Sequence, residues 1–331
     1  MIMLFKLPAE KIGSHFGRSK SCLNLFCYNV QVKFASIKEM RFMSPSISVI
    51  TPSFNQGKFI ERTIQSVLSQ NVEVEYVIFD AASTDNTLNI LKKYERQLKW
   101  ISEPDAGQAD AVNKGIRATK GDIIAWINSD DVYLEGALKQ VHDFFEQNPT
   151  ADAVYGNAWY VDADDHTLNP YTTEPWDVER LKEVCFICQP AAFFRRRVID
   201  RLGLLDASLQ YCMDYEFWLR LGLGGAQFIH LPLYLACSRM YPENKTLGQK
   251  TAVHIETNNM LKKNLGHVPD SWLNSYAFHM ADAMGYSQDV NKRRFFFQLA
   301  SQSLKADLHW NKSINIKTLK RAVTWIKKSL L

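Results

Sequence analysis

Between residues 47 and 145 the chain alternates short, uninterrupted apolar runs with longer stretches whose apolar positions recur at helical spacing. The runs are Ile47–Ile50, Tyr76–Phe79, Trp100–Ile101 and Ile123–Ile127. They are rich in β-branched and aromatic residues and bounded by turn formers, which predicts strands: Ile123–Ile127 covered on both faces, Tyr76–Phe79 also buried, and Trp100–Ile101 a short one. Between them, Ile60, Ile64, Val67 and Leu68 fall at i, i+4, i+7 and i+8. Leu88, Leu91, Tyr94 and Leu98 repeat that spacing, as do Ala109, Val112 and Ile116, and then Leu138, Val141, Phe144 and Phe145. Each set predicts an amphipathic helix, with Ser83 or Thr84 expected to cap the second. Strand and helix alternating four times over short connections predict an α/β fold with a largely parallel sheet and helices on both faces.

Beyond Pro149 the period changes. Ala153–Tyr155 and Trp159–Val161, separated by a Gly-Asn pair, suggest a hairpin or meander. Residues 162–175 read as loop, Val178–Leu181 as the start of a short helix, Gln189–Phe194 as strand and Asp214–Leu221 as helix. Phe228–Leu231 and Tyr234–Cys237 read as two short strands, and from about residue 250 the pattern is helical, amphipathic and basic. The implied organisation is an extension over 1–44, a domain over 45–250 divided near 149, and a helical region over 251–331.

The strand ends carry the chemistry. Ile123–Ile127 runs directly into Asn128-Ser129-Asp130-Asp131. Two adjacent carboxylates at the exit of a buried strand repel each other and lose hydration unless positive charge sits beside them. A hard divalent cation, Mg²⁺ or Mn²⁺, meets that need with carboxylate oxygens and leaves coordination positions for phosphate or water. The alternative is a solvated turn with Asp131 as the N-cap of the next helix. The other strands end in Thr51-Pro52-Ser53-Phe54-Asn55 and in Asp80…Asp85, and in an open α/β sheet such loops gather on one edge, where ligands bind. No G-x-G-x-x-G turn follows the first strand, which argues against a dinucleotide fold.

Charge divides the chain. Residues 1–44 hold seven Lys/Arg against two Asp/Glu, and residues 291–331 hold ten against one, so the intervening segment carries a net charge of −10 within an overall +4. An acidic middle argues against a nucleic-acid groove there. The basic ends suit an anionic lipid face or plain solvation. No apolar run reaches the ~18–20 residues of a membrane span, and the N-terminus lacks a basic region followed by an apolar core, so a cytoplasmic protein is expected. Residues 1–44 show no sustained period, and Met43 is an equally acceptable translation start. The six cysteines are irregularly spaced and read as buried thiols; Cys185 and Cys188 have CxxC spacing but no second pair to complete a zinc site.

In order along the chain, ISVITPSFNQGKFIERTIQSVLSQ, FDAASTDNT, EPDAGQADAVNKGI, GDIIAWINSDD, QPAAFFRR and MDYEFWLRL resemble the segments of family 2 glycosyltransferases, covering roughly residues 46–222. The resemblance implies a GT-A type, Rossmann-like sheet with a C-terminal helical extension, and a nucleoside-diphosphate sugar held at the strand ends. It places Thr51, Pro52 and Ser53 around the nucleotide and Asp80 against the N3–H of a uracil or thymine. One or two of Asp105, Asp110, Asn113 and Lys114 are expected to reach the donor, while Ser83 and Asp85 shape their loop. Asn128-x-Asp130-Asp131 falls on the family's D-x-D element with its first Asp replaced, so Asn128 contacts sugar or ribose, and Asp130 and then Asp131 bind the metal. Asp214 matches the catalytic base, with Glu216 as runner-up, and Met213 stands where Glu is usual. Gln189 lines the acceptor side, and Lys245 approaches the diphosphate. Trp218 is either a sugar platform or core, and Arg220 either a site buttress or a plain ion pair. Tyr241 takes the place of a family His in the closing loop. His230 reads as a surface histidine.

The implied activity is inverting transfer of a sugar from a UDP- or dTDP-sugar to a hydroxyl, in surface polysaccharide or glycolipid assembly, on a saccharide or lipid-linked acceptor. The alternative is a non-catalytic nucleotide-sugar-binding assembly protein, motivated by Asn128 and Met213. A nucleotidyltransferase would want a Gly-rich basic loop after the first strand, and Thr51–Gly57 is not one.

Overall fold

A computed structural model describes residues 44–330. The expectation of an extension over 1–44 lies outside the described residues. Pro45 to the C-terminus forms one compact unit. Among the described residues, nine strands make one sheet. Its parallel half comprises β1 (Ile47–Ser53), β2 (Val74–Asp80), β3 (Lys99–Ser102) and β4 (Ile123–Trp126) in the order β3-β2-β1-β4. The helices α1 (Ile60–Leu68), α2 (Thr87–Lys93) and α3 (Gln108–Ala118) connect them. The predicted α/β alternation and the mostly parallel sheet are therefore observed. The two faces of β1 explain its apolar run. Val49 packs in one buried cluster with Ile64, Ile78 and Ile127, and Ile50 packs in another with Val112, Ile124 and Phe194.

After β4 come β5 (Val132–Tyr133) and α4 (Ala137–Gln147), then β6 (Ala153–Val161), β7 (Thr167–Pro170), α5 (Val178–Glu183), β8 (Ala192–Arg195), α6 (Arg196–Leu202), α7 (Met213–Leu223) and β9 (Phe228–Arg239). The sheet continues β4-β8-β6-β9-β5, with β8 and β5 antiparallel to their neighbours and β6 parallel to β9. This corrects three expectations. β6 is one strand rather than a hairpin, β9 is one strand rather than two, and the loop after Asp162 contains β7. The Gly156-Asn157 pair does not turn the chain; it marks a register shift in the β6–β9 pairing. A Cβ at Gly156 would stand 2.5 Å from the Leu235 side chain and 2.7 Å from the Leu233 carbonyl, so glycine is there for close backbone approach. Nor does Asp131 cap a helix, because β5 follows it directly.

The C-terminal helices are α8 (Lys245–Gly248), α9 (Lys250–Leu265), α10 (Asp270–Ala283), α11 (Gln288–Asn311) and α12 (Ile316–Leu330). Met260, Leu261, Leu273 and Trp310 share a core with Phe217 and Trp218 of α7. The helical region is thus packed into the same core as the site-bearing elements. Among the described residues, no helix is long and apolar enough to cross a membrane.

Candidate active site

The carboxyl-end loops of the parallel strands open on a cavity of about 800 Å³. Pro52 and Ser53 from β1, Ala81 beyond β2, and Asn128, Ser129, Asp130 and Asp131 beyond β4 form part of its wall. Gln189, Asp214 and Lys245 join them from the second half of the chain. Residues more than a hundred positions apart therefore meet on one surface.

Asp130 and Asp131 sit close to the end of β9. The Tyr241 hydroxyl donates to Asp130 Oδ2 at 2.8 Å, and the Arg239 backbone N–H donates to Asp131 Oδ1 at 2.8 Å. The Arg239 guanidinium is turned elsewhere, onto the carbonyls of Asp130 and Asp162 and onto the Asp165 carboxylate. Burial raises the pKa of Asp130, and burial together with the Asp130 charge pushes Asp131 well above the ordinary carboxylate range. A pair of adjacent carboxylates that is partly desolvated and incompletely neutralised fits a hard divalent cation, for which carboxylate oxygens are the preferred donors. Asn128 is held internally: its Oδ1 accepts from Gln108 Nε2 at 2.6 Å and Trp126 Nε1 at 3.0 Å, and its Nδ2 donates to Asp131. A separate cluster of His142, Asp143 and Glu146 on α4 lies outside the cavity wall, with Asp143 already bonded to Lys139.

Asp214 lies in the first turn of α7, where the helix dipole favours a carboxylate. Burial nonetheless raises its pKa to about 6, against the opposing bond from the Tyr215 N–H at 2.8 Å. Burial pushes the thiol of Cys188 well up, and the negative charges of Asp131, Cys185 and Asp214 add to it. The segment before Asp214 is anchored by a residue that no motif pointed to. Glu256 of α9 accepts from the backbone N–H groups of Gln210, Tyr211 and Cys212 at 2.8, 2.7 and 2.9 Å. These bonds fix the start of α7 from the C-terminal helices. Glu256→Gln places an amide N–H₂ among three donors, and bonds of this charged kind contribute ~1.5–3 kcal/mol each. The variant is expected to lower kcat about tenfold with KM for donor little changed, read by steady-state kinetics beside a thermal melt.

The remaining expected residues divide. Ser53 and Gln189 belong to the wall, and the buried Ser53 Oγ and Gln189 Oε1 have no hydrogen-bond partner among the described residues. Gln189 Nε2 donates to the Trp126 carbonyl at 2.6 Å, which fixes the side chain. Lys245 stands on the wall within electrostatic reach of Asp105, Glu256 and Asp130. Among Asp105, Asp110, Asn113 and Lys114, Asp105 is at the wall. Lys114 instead pairs with Glu103 and Asp110, and Asn113 bonds the Leu205 backbone. Asp85 shapes its loop as expected, accepting from the Gly57 N–H at 2.8 Å, and His230 pairs with Asn157.

Thr51, Asp80, Trp218 and Arg220 are also off the wall. Thr51 is fully buried against the Tyr76 hydroxyl, because alternation along β1 points it to the face opposite Pro52. Asp80 is 1% exposed and accepts from Ser83 and Ser102, tying its loop together behind Ser53 and Ala81. Trp218 lies one turn below Asp214 and is core, ringed by Phe194, Phe217 and Phe228. Arg220 pairs with Glu216 at 2.8 Å and reaches the Leu204 carbonyl at 2.8 Å, binding α7 to the end of α6. Both Trp218 and Arg220 are therefore structural rather than sugar- or phosphate-facing. Among the wall residues that no motif pointed to are Thr257 of α9 and Trp272 of α10, whose ring lies 5.2 Å from that of Tyr215.

The fold and the carboxylate-lined cleft define a GT-A glycosyltransferase architecture, and known structures share it. The chain resembles Staphylococcus aureus TarS 1–349, solved in complex with UDP-GlcNAc, with a TM-score of 0.58 at 16% identity over 85% of this chain and 90% of that one. It also resembles a mannosyltransferase from Pyrobaculum calidifontis, solved with GDP-Man and Mn²⁺, with a TM-score of 0.55 at 16% identity over 93% of both chains. In sequence, residues 48–203 match the model of Glycosyl transferase family 2. An uncharacterized glycosyltransferase of Rickettsia prowazekii is 24% identical over 243 residues, 69% of this chain and 71% of that protein. Escherichia coli chondroitin synthase is 26% identical over 196 residues, 58% of this chain and 28% of that larger protein. Residues 48–203 are thus a Glycosyl transferase family 2 segment, and the comparisons together support a glycosyltransferase enzyme.

Proposed function

We propose that the cavity binds a UDP- or dTDP-sugar and passes its sugar, with inversion, to a hydroxyl of a saccharide acceptor carried on a lipid, in polysaccharide or glycolipid assembly. The observation that carries this reading is the meeting of Asp130 and Asp214 on one cavity at the carboxyl ends of parallel strands. Pro52 and Ser53 would hold the nucleotide, with Asp80 keeping their neighbouring loop in shape. Lys245 would face the diphosphate. Asp130, assisted by Asp131, would hold a divalent cation, and that cation would supply positive charge to the leaving diphosphate.

Asp214 does the proton work. Its carboxylate accepts the proton of the acceptor hydroxyl while that oxygen bonds to the anomeric carbon and the bond to the diphosphate breaks. Gln189 and Trp272 would position the acceptor beside it. A base must be ionised to act, so activity is present above its pKa and lost below it. The kcat profile should therefore fall as pH drops through about 6; a profile flat from pH 5 to 8 would remove Asp214 from the role.

A donor screen by released diphosphate tests the function. UDP- and dTDP-sugars, with a GDP-sugar arm, are supplied with Mn²⁺, with Mg²⁺, or with chelator. A metal-stimulated release from a UDP- or dTDP-sugar is expected. Release from GDP-sugars alone would overturn the donor assignment, and equal rates in chelator would overturn the metal assignment.

A further inference from the structure

Helix α12 has two apolar faces. Thr318, Ala322 and Trp325 are buried on one, against a cluster that includes Phe295, Phe296 and Leu299 of α11. The other face carries Ile316, Leu319, Val323, Ile326 and Leu330, spaced by three and four residues, and it is open. Ile316 is 67% exposed, Leu319 49% and Leu330 75%. A single exposed leucine needs no explanation, but a row of five along one helix face does.

Charge decides what covers the row. Lys320 follows Ile316, and Lys327 follows Val323, by one helical turn, so a lysine edge runs beside the apolar one. Neither lysine makes an ion pair among the described residues. Helix α12 contains no acidic residue, and residues 291–331 carry a net +9. Two copies meeting through this face would bring lysine edges together with no carboxylate on the helix to answer them. An anionic lipid surface answers both features: acyl chains accept the apolar row, and headgroup phosphates accept lysines that snorkel past it.

We propose that the exposed face of α12 is a docking surface for an anionic membrane, entered by Leu319, Val323 and Ile326 and held by Lys320 and Lys327. The helix lies in the headgroup plane and does not span. Docking there would hold the enzyme at a surface that can carry a lipid-linked acceptor. It rests on the reading above only for that purpose.

Cosedimentation of the full chain with vesicles tests it, with neither donor nor acceptor present. Wild type should bind phosphatidylglycerol-containing vesicles and not pure phosphatidylcholine ones, and should release in high salt. A lysine near such a surface contributes roughly fivefold to partitioning, so Lys320→Gln with Lys327→Gln should weaken binding about thirtyfold. Leu319→Ser, Val323→Ser and Ile326→Ser together should weaken it at least as much, with a thermal melt confirming the fold. Equal binding to neutral vesicles, or unchanged binding by both variants, overturns the proposal. So does a wild-type dimer that the serine variant converts to monomer with no vesicle binding, which would make a second copy the occupant. Diphosphate release on a soluble acceptor should be unchanged in both variants, so failure of lipid docking and failure of the transferase reading are separate results.

Discussion

Asp214→Asn is expected to lower kcat by ~10²–10⁴-fold while leaving donor affinity within about twofold of wild type. The substitution changes little but basicity. The amide oxygen can still accept from the Tyr215 N–H, the side-chain volume is retained, and the first turn of α7 stays anchored through Glu256. What is lost is the lone pair that takes the acceptor proton. The raised pKa of about 6 sharpens the expectation, because a carboxylate raised by enclosure is a stronger base than an exposed one, yet it is ionised at neutral pH. Glu216 cannot stand in, since it is buried and paired with Arg220. Steady-state kinetics with donor binding measured separately checks this. A loss confined to KM would assign Asp214 to binding instead.

Asp130→Asn should act on the other half of the reaction. Removing one charge from the Asp130–Asp131 pair would loosen the hold on the proposed divalent cation, and with it the positive charge offered to the leaving diphosphate, at a cost of roughly 10²–10³-fold in rate. The Mn²⁺ or Mg²⁺ needed for half-maximal activity should rise as well. The fold should hold, because relieving repulsion between two buried carboxylates is not itself destabilising. Removing Asp131 is a poorer test, since its carboxylate also fastens the backbone of Arg239. A variant with wild-type rate and metal response would place the diphosphate away from β4.

Much of the parallel half could be read from period alone. β1 and β4 are buried on both faces, β2 is mostly buried, and only the edge strand β3 is half-exposed; with short connections, local sequence and tertiary structure largely agree from β1 to α4. The second half was less legible for a specific reason. β6 and β9 pair over nine positions with two register shifts, and a Gly-Asn pair inside such a strand looks like a turn until its partner is known. The site divides along the same line. Asp130 and Asp214 stand at a strand exit and a helix start, where position implies exposure to the cleft. Thr51 and Asp80 share that neighbourhood, but strand alternation and the loop hydroxyls turn them inward. Trp218 and Arg220 lie too far down α7 to reach the cavity. Glu256, Thr257 and Trp272 carry no motif, and only the packing of α9 and α10 brings them to the site. Tyr241 could be placed in the closing loop from sequence, but its bond to Asp130 could not.

The most direct test is calorimetric titration of a UDP-sugar in Mn²⁺ into wild type, Asp130→Asn and Asp214→Asn. Binding should require Mn²⁺, weaken at least tenfold in Asp130→Asn, and stay within about twofold of wild type in Asp214→Asn. Equal affinities in all three proteins, or no binding to wild type, would contradict a donor held at Asp130 with its reacting carbon presented to Asp214.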